Sequence, residues 1–191
     1  MTVPGTFDTS ARELIHAGLQ NLDEARSLFR QLSASGFDAA RCGLLLDALQ
    51  HVCDPDVALR NLVDIVNAQV SQGRALDDIM PDDTAFRQLV AVLGVSDAMG
   101  KLMRFRPDLV QAAATDHCNS HLYNHDQRRA HVLESVGADP NDRMSPTATM
   151  DLANAATALR RTYRNQLAAI IAQDTMSDDP IALQPRISSE L

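Results

Sequence analysis

PTATMDLANAATALRRTYRNQLAAIIAQD, residues 146–174, is the stretch whose reading decides the fold. After Ser145-Pro146 no proline or glycine interrupts it until Pro180. Its large apolar residues fall at Leu152, Leu159, Tyr163, Leu167 and Ile170-Ile171, with Ala155 and Ala156 assigned to the same face. Steps of three and four make one stripe on a helix and would scatter over both faces of a strand. A helix of roughly 25 residues is about 37 Å long, enough to cross a small domain. Residues 146–174 are therefore expected as one long helix, the spine of an all-α packing unit with no sheet. The stretch holds no nucleophile beside a base, no Gly-rich phosphate loop and no paired carboxylates.

Composition supports that reading. Hydrophobic residues make up 45% of the 191, but aromatics only 4%, and Trp is absent. The core must be built from Leu, Ala, Val and Ile, which suits close-packed helices. A net charge of -8 argues against nucleic acid or an anionic membrane as a partner. Cys42, Cys53 and Cys118 are widely spaced, with no C-x-x-C, which fits reduced thiols and a cytoplasmic location. The N-terminus lacks the basic and apolar regions of a signal peptide, and no apolar run is long enough to span a bilayer.

The remaining chain reads as a string of helices. Thr9 or Ser10 caps the first, with Glu13 completing a capping box. A second runs from Asp23 through Leu32 to a stop at Ser35-Gly36, and a third spans Phe37 to Val52. Asp54-Pro55 opens a fourth, which ends at Gln72-Gly73. Residues 74–83 read as a polar connection. Asp83 or Thr84 caps the next helix, Gly94 stops it, and Ser96 caps another; Gly100 permits close helix packing. Pro107 starts a further turn. Residues 115–145, rich in His, Asn and Asp, read as an elaborated connection with Val132, Leu133 and Val136 buried. Past Asp174 the apolar pattern Ile181, Leu183, Ile187 and Leu191 breaks off in mid-helix, as expected of a truncated piece.

Four constellations bear on chemistry. His117, His121 and His125 would share a helix face able to hold zinc or haem iron, but the Glu of HExxH is missing, and a solvated polar loop is the better account. Leu93 to Gly100 holds two glycines and a serine, yet lacks the strand and Lys-Ser/Thr of a phosphate loop; capping explains these residues. The acidic pairs Asp77-Asp78, Asp82-Asp83 and Asp178-Asp179 each precede an apolar helical pattern, which favours capping and first-turn roles. Arg160, Arg161 and Arg164, with Lys101, Arg104 and Arg106 elsewhere, are more often solvent-side ion-pair formers than an anion site.

Several segments, in order, resemble a known family. They are Val57-Ala-Leu-Arg-Asn-Leu, Phe86 to Gly100, Arg106-Pro107-Asp108, and Ala158-Leu-Arg-Arg-Thr-Tyr-Arg164 followed by Ala169 and Asp174. Together they are similar to the N-terminal helical region of bifunctional glutamine synthetase adenylyltransferase/adenylyl-removing enzymes of the actinobacterial type. Arg106-Pro107 stands where the family usually has His-Pro. The resemblance covers residues 54–114 and 145–191. It leaves residues 1–53 and the polar connection 115–145 outside, and makes 175–191 the start of a truncated helix leading to an absent nucleotidyltransferase domain.

The family implies a large cytoplasmic enzyme of nitrogen assimilation with two Mg2+-dependent nucleotidyltransferase domains. One removes AMP from glutamine synthetase by phosphorolysis and the other adds AMP from ATP. Glutamine synthetase and a PII-type signal protein are the implied partners, with the enzyme's own catalytic domain. The family motif Gly-Met-Gly-Lys…Asn-x-x-Ser-Asp-x-Asp does not occur in these 191 residues. The resemblance thus implies a non-catalytic segment with no catalytic, cofactor or metal residue of its own. Arg160, Arg161 and Arg164 are its expected contact surface. The rival readings are a free-standing helical interaction module and a His-based metal- or haem-binding protein.

Overall fold

The computed structural model describes residues 9–79, 82–114 and 125–175. Every regular element among them is helical. The chain divides into two compact units, Met1–Thr115 and Asp116–Leu191.

In the first unit, α1 (Ala11–His16) begins with the expected capping box. The Glu13 carboxylate accepts from the Ser10 N–H at 2.9 Å, and the Ser10 hydroxyl accepts from the Glu13 N–H at 3.3 Å. The Ser10 hydroxyl also donates to that carboxylate, and this pulls Glu13 below its usual range. Helix α2 (Leu22–Ala34) buries Ala25, Phe29 and Leu32, a stripe at steps of four and three. It ends where expected: Gly36 has φ +104, the Phe37 N–H returns to the Leu32 carbonyl, and the Gly36 N–H to that of Ser33. That pair of bonds is a Schellman closure, which the missing Cβ of glycine makes cheap. Helix α3 (Ala39–Leu49) is capped by Asp38.

Helix α4 (Pro55–Ser71) is the axle of this unit. Asp54 accepts from the Val57 N–H at 3.0 Å, and Pro55 occupies the first helical position. Ala58, Leu59, Leu62, Val63, Ile65 and Val66 are buried, so α4 is enclosed on more than one side. It packs against α2, α3, α6 (Asp83–Val95) and α7 (Asp97–Met103). Asp56 in its first turn accepts from the backbone N–H groups of Gln20 at 3.0 Å and Asn21 at 3.3 Å, which ties the entry of α2 to the entry of α4.

Three expectations for this unit are corrected. Residues 74–83 contain a one-turn helix, α5 (Leu76–Ile79). The cap of α6 is Asp82, one residue earlier than expected, because its extended backbone (φ -152, ψ 170) aims the carboxylate at the Ala85 N–H, 2.8 Å away. Gly94 does not stop α6, which continues to Val95. Its reason is contact: a Cβ there would lie 2.9 Å from the Val52 Cβ and 3.3 Å from the Asp54 carbonyl. Ser96 caps α7 as expected, accepting from the Met99 N–H at 3.2 Å. Gly100 does permit close approach, since a Cβ would fall 2.3 Å from the Asn61 amide carbon. The buried Asn61 donates to the Leu93 carbonyl at 3.3 Å and bonds Asp97, pinning α4 to the junction of α6 and α7. Helix α8 (Pro107–Ala114) completes the unit.

The second unit also departs from expectation. The polar segment contains an eleven-residue helix, α9 (His125–Ser135), before the chain turns at Gly137. Val136 is buried as expected, Val132 and Leu133 only partly, and Ala138 joins them. Arg129 clamps the following turn, donating to the carbonyls of Pro140 at 3.0 Å and Asp142 at 2.9 Å. Asp142 in turn accepts from the N–H groups of Ser145 at 3.0 Å and Met144 at 2.9 Å, which depresses its pKa. The long helix α10 runs Leu152–Thr175, starting six residues later than expected. Asp151 sets that start by accepting from the N–H groups of Ala153 at 3.1 Å and Asn154 at 3.0 Å. No described helix is long and apolar enough to cross a membrane.

Candidate interaction surface on the long helix

Over the first half of α10 Ala155 is buried as expected, but the large apolar residues expected beside it are exposed. Leu152 is 87% exposed, Tyr163 58% and Leu159 41%. The buried positions are Ala155 and Thr162, with Ala158 partly buried, on the neighbouring stripe. Val136, Ala138 and Ala155 form a small core to which Leu133 and Ala158 add. Small residues let α10 approach α9 closely, and that choice turns the large apolar side chains outward. Further along, Ala168, Ile170 and Ala172 are buried, so Ile170 alone of the expected large set is fully covered.

The three arginines divide on this helix. At 100° per residue, Arg160 and Arg164 lie one turn apart on nearly the same line, and Arg161 points about 100° around from Arg160. Arg160 is exposed and Arg164 half-buried, and no ion pair joins either to an acid among the described residues. Arg161 instead lines an open groove of about 710 Å³ with Ser135, Thr149, Asp151, Asn154 and Thr157. The Asp151 carboxylate in that groove is held below its usual range by the Asn154 backbone N–H and side-chain amide.

The other basic residues form ion pairs, as expected. Lys101 pairs with Asp97 at 2.6 Å, and Arg104 reaches Asp64 at 3.5 Å with its guanidinium 5.4 Å from the Phe105 ring centre. Arg106 forks onto Asp108 through bonds of 2.9 and 2.8 Å. That bond raises the arginine's pKa and places an acid in the first turn of α8. Asp77 pairs with Arg41, Asp82 caps α6 and Asp83 lies in its first turn. These carboxylates are committed to structure. Asp178 and Asp179 lie outside the described residues, as do His117, Cys118 and His121; His125 opens α9. Among the described residues no group of three or more His, Cys, Asp or Glu could hold a metal ion. Cys42 is buried and its thiol pKa is raised by that burial, and Cys53 is exposed.

Comparison with known proteins gives a decisive match. A Bifidobacterium longum protein (strain DJO10A), the bifunctional glutamine synthetase adenylyltransferase/adenylyl-removing enzyme, is 62% identical over 185 residues. The alignment takes in 97% of this chain and 17% of that enzyme. The chain matches a segment of that enzyme. The corresponding enzyme of Bifidobacterium longum subsp. infantis is 60% identical over the same shares. That of Leifsonia xyli subsp. xyli is 28% identical over 170 residues, 88% of this chain and 16% of the enzyme. The chain therefore spans about a sixth of the length of the curated adenylyltransferases it matches. With 97% of the chain aligned, the match extends into residues 1–53 and 115–145, which the motif resemblance had left out. No family model matches the chain. No solved structure does.

Proposed function

We propose that this chain is a non-catalytic helical segment of a glutamine synthetase adenylyltransferase/adenylyl-removing enzyme, and that it supports the adenylyl-removing nucleotidyltransferase domain. The observation that carries the reading is 62% identity along nearly the whole chain to a sixth of that enzyme. In this reading Mg2+ and ATP are held by the nucleotidyltransferase domains, where carboxylates position the metal and the metal steadies the charge on the transferred group. In this chain Asp77, Asp82 and Asp83 already serve ion pairing, capping and the first turn of α6. Its contribution is shape and contact. Arg160 and Arg164 offer guanidinium groups to a carboxylate-bearing surface, on the catalytic domain or on glutamine synthetase, and arginine suits such bidentate contacts. A PII-type protein would then act on the whole enzyme.

Replacing Arg160, Arg161 and Arg164 with Ala in the full-length enzyme should lower deadenylylation of glutamine synthetase. Unchanged deadenylylation would remove the arginine surface from the account. The 191-residue chain alone should neither add nor remove AMP.

A further inference from the structure

Leu152, Ala156, Leu159 and Tyr163 follow one another at steps of four, three and four, which puts them on a single line along α10 over about 16 Å. Leu152, Leu159 and Tyr163 are the exposed large apolar residues of that helix. Scattered apolar side chains on a surface need no explanation, but a row at helical spacing is the pattern of a helix face seated in a groove. Beside the row stand Arg160 and Arg164, and the only acid in α10 is Asp174. The relatives carry about five-sixths of their length outside the matched segment. In those relatives the remainder is joined to every copy of the segment.

We infer that the Leu152–Leu159–Tyr163 face of α10 is a docking surface for the remainder of the enzyme's polypeptide, specifically for an apolar patch rimmed by carboxylates that meet Arg160 and Arg164. The inference rests on the segment reading above and names the face that segment uses. The apolar row supplies the buried area. The two arginines fix the angle at which the helix seats, since a misplaced partner would leave guanidinium groups covered without an acid.

Hydroxyl-radical footprinting of Leu152, Leu159 and Tyr163 tests this. The samples are the 191-residue chain and the Bifidobacterium longum enzyme with its matching segment exchanged for this chain. Labelling at the three residues should fall severalfold in the long enzyme, with the enclosed Leu62 and Leu93 unlabelled in both. Equal labelling in the two samples would overturn the inference. Protection already present in the short chain and lost on dilution would overturn it too, by making a second copy the occupant. If the exchanged enzyme does not fold, the separately produced remainder is added to the 191-residue chain. The same fall is expected there, and its absence is equally fatal. Protection together with unaltered deadenylylation in the triple arginine variant would keep this surface and discard the functional role given to those arginines.

Discussion

The two units of this chain solve the same packing problem with different side chains. Among the described residues the largest fully buried ones, including Phe29, Leu45, Leu59, Leu62, Leu89, Leu93 and Leu109, all belong to the first unit. The described core of the second is Val136, Ala138 and Ala155, with alanines and Ile170 further along α10. Burying a Leu or Phe side chain contributes roughly 1.5–3 kcal/mol, and an alanine methyl much less. The first unit is therefore held by its own interior. The second carries Leu152, Leu159 and Tyr163 on the outside of α10, where they contribute only when something covers them.

Truncations should separate the units most sharply. Leu62→Ala in α4 removes a fully buried side chain and should lower the stability of the 191-residue chain by about 2–5 kcal/mol. Leu159→Ala in α10 should change it by no more than about 0.5 kcal/mol, as for a surface position. Urea denaturation followed by helical circular dichroism reads both. A cost at Leu159 comparable to that at Leu62 would erase the contrast.

A smaller effect sharpens the description of the second unit. Gly137 closes α9 at φ +73, and an added Cβ would lie 2.1 Å from the Thr149 hydroxyl. Gly137→Ala should destabilise by about 1–2 kcal/mol from the backbone conformation, with more if Thr149 cannot shift. The loss should appear first in the signals of α9 and of the first turns of α10. A neutral Gly137→Ala variant would mean that the α9–α10 packing contributes little.

The residue pattern made the helices legible wherever a cap spoke for itself. Ser10 with Glu13, Asp54 with Pro55, Ser96 and Gly36 were readable because each satisfies backbone groups by a local rule. Gly94 was not, since its role depends on Val52, a residue of another element. Helix α9 was obscured by its polar composition, for it buries little beyond its end. The exposed large residues of α10 have a physical reason: close helix approach, rather than apolarity, selects what is buried there, and it favours the alanine stripe. The signal that could have found it was the run Ala155, Ala158 and Thr162, small residues at steps of three and four. Of the candidate site, the arginines were legible as residues, but their division between groove and exposed row needed the helix's orientation.

Acid gives the smallest effect. Asp142 and Asp151 are both held below the usual aspartate range by backbone N–H groups at the approach to α10. A depressed folded pKa adds stability that is fully present above the unfolded value and is lost as pH falls through the folded one. The first turn of α10 should hold at neutral pH and loosen as pH falls below the usual aspartate range. The amide resonances of Ala153 and Asn154 should report that loosening, and Asp151→Ala should show it already at neutral pH. Resonances that stay constant through the acid range would remove the carboxylate from the cap.

The contrast between the units is tested most directly by amide hydrogen exchange along the isolated 191-residue chain. The account predicts the slowest exchange in α4 and α6, with the first half of α10 exchanging much faster, as a helix lacking cover on its apolar row should. Protection across residues 152–163 equal to that of α4 would contradict it, and would mean that the second unit is complete without any further surface.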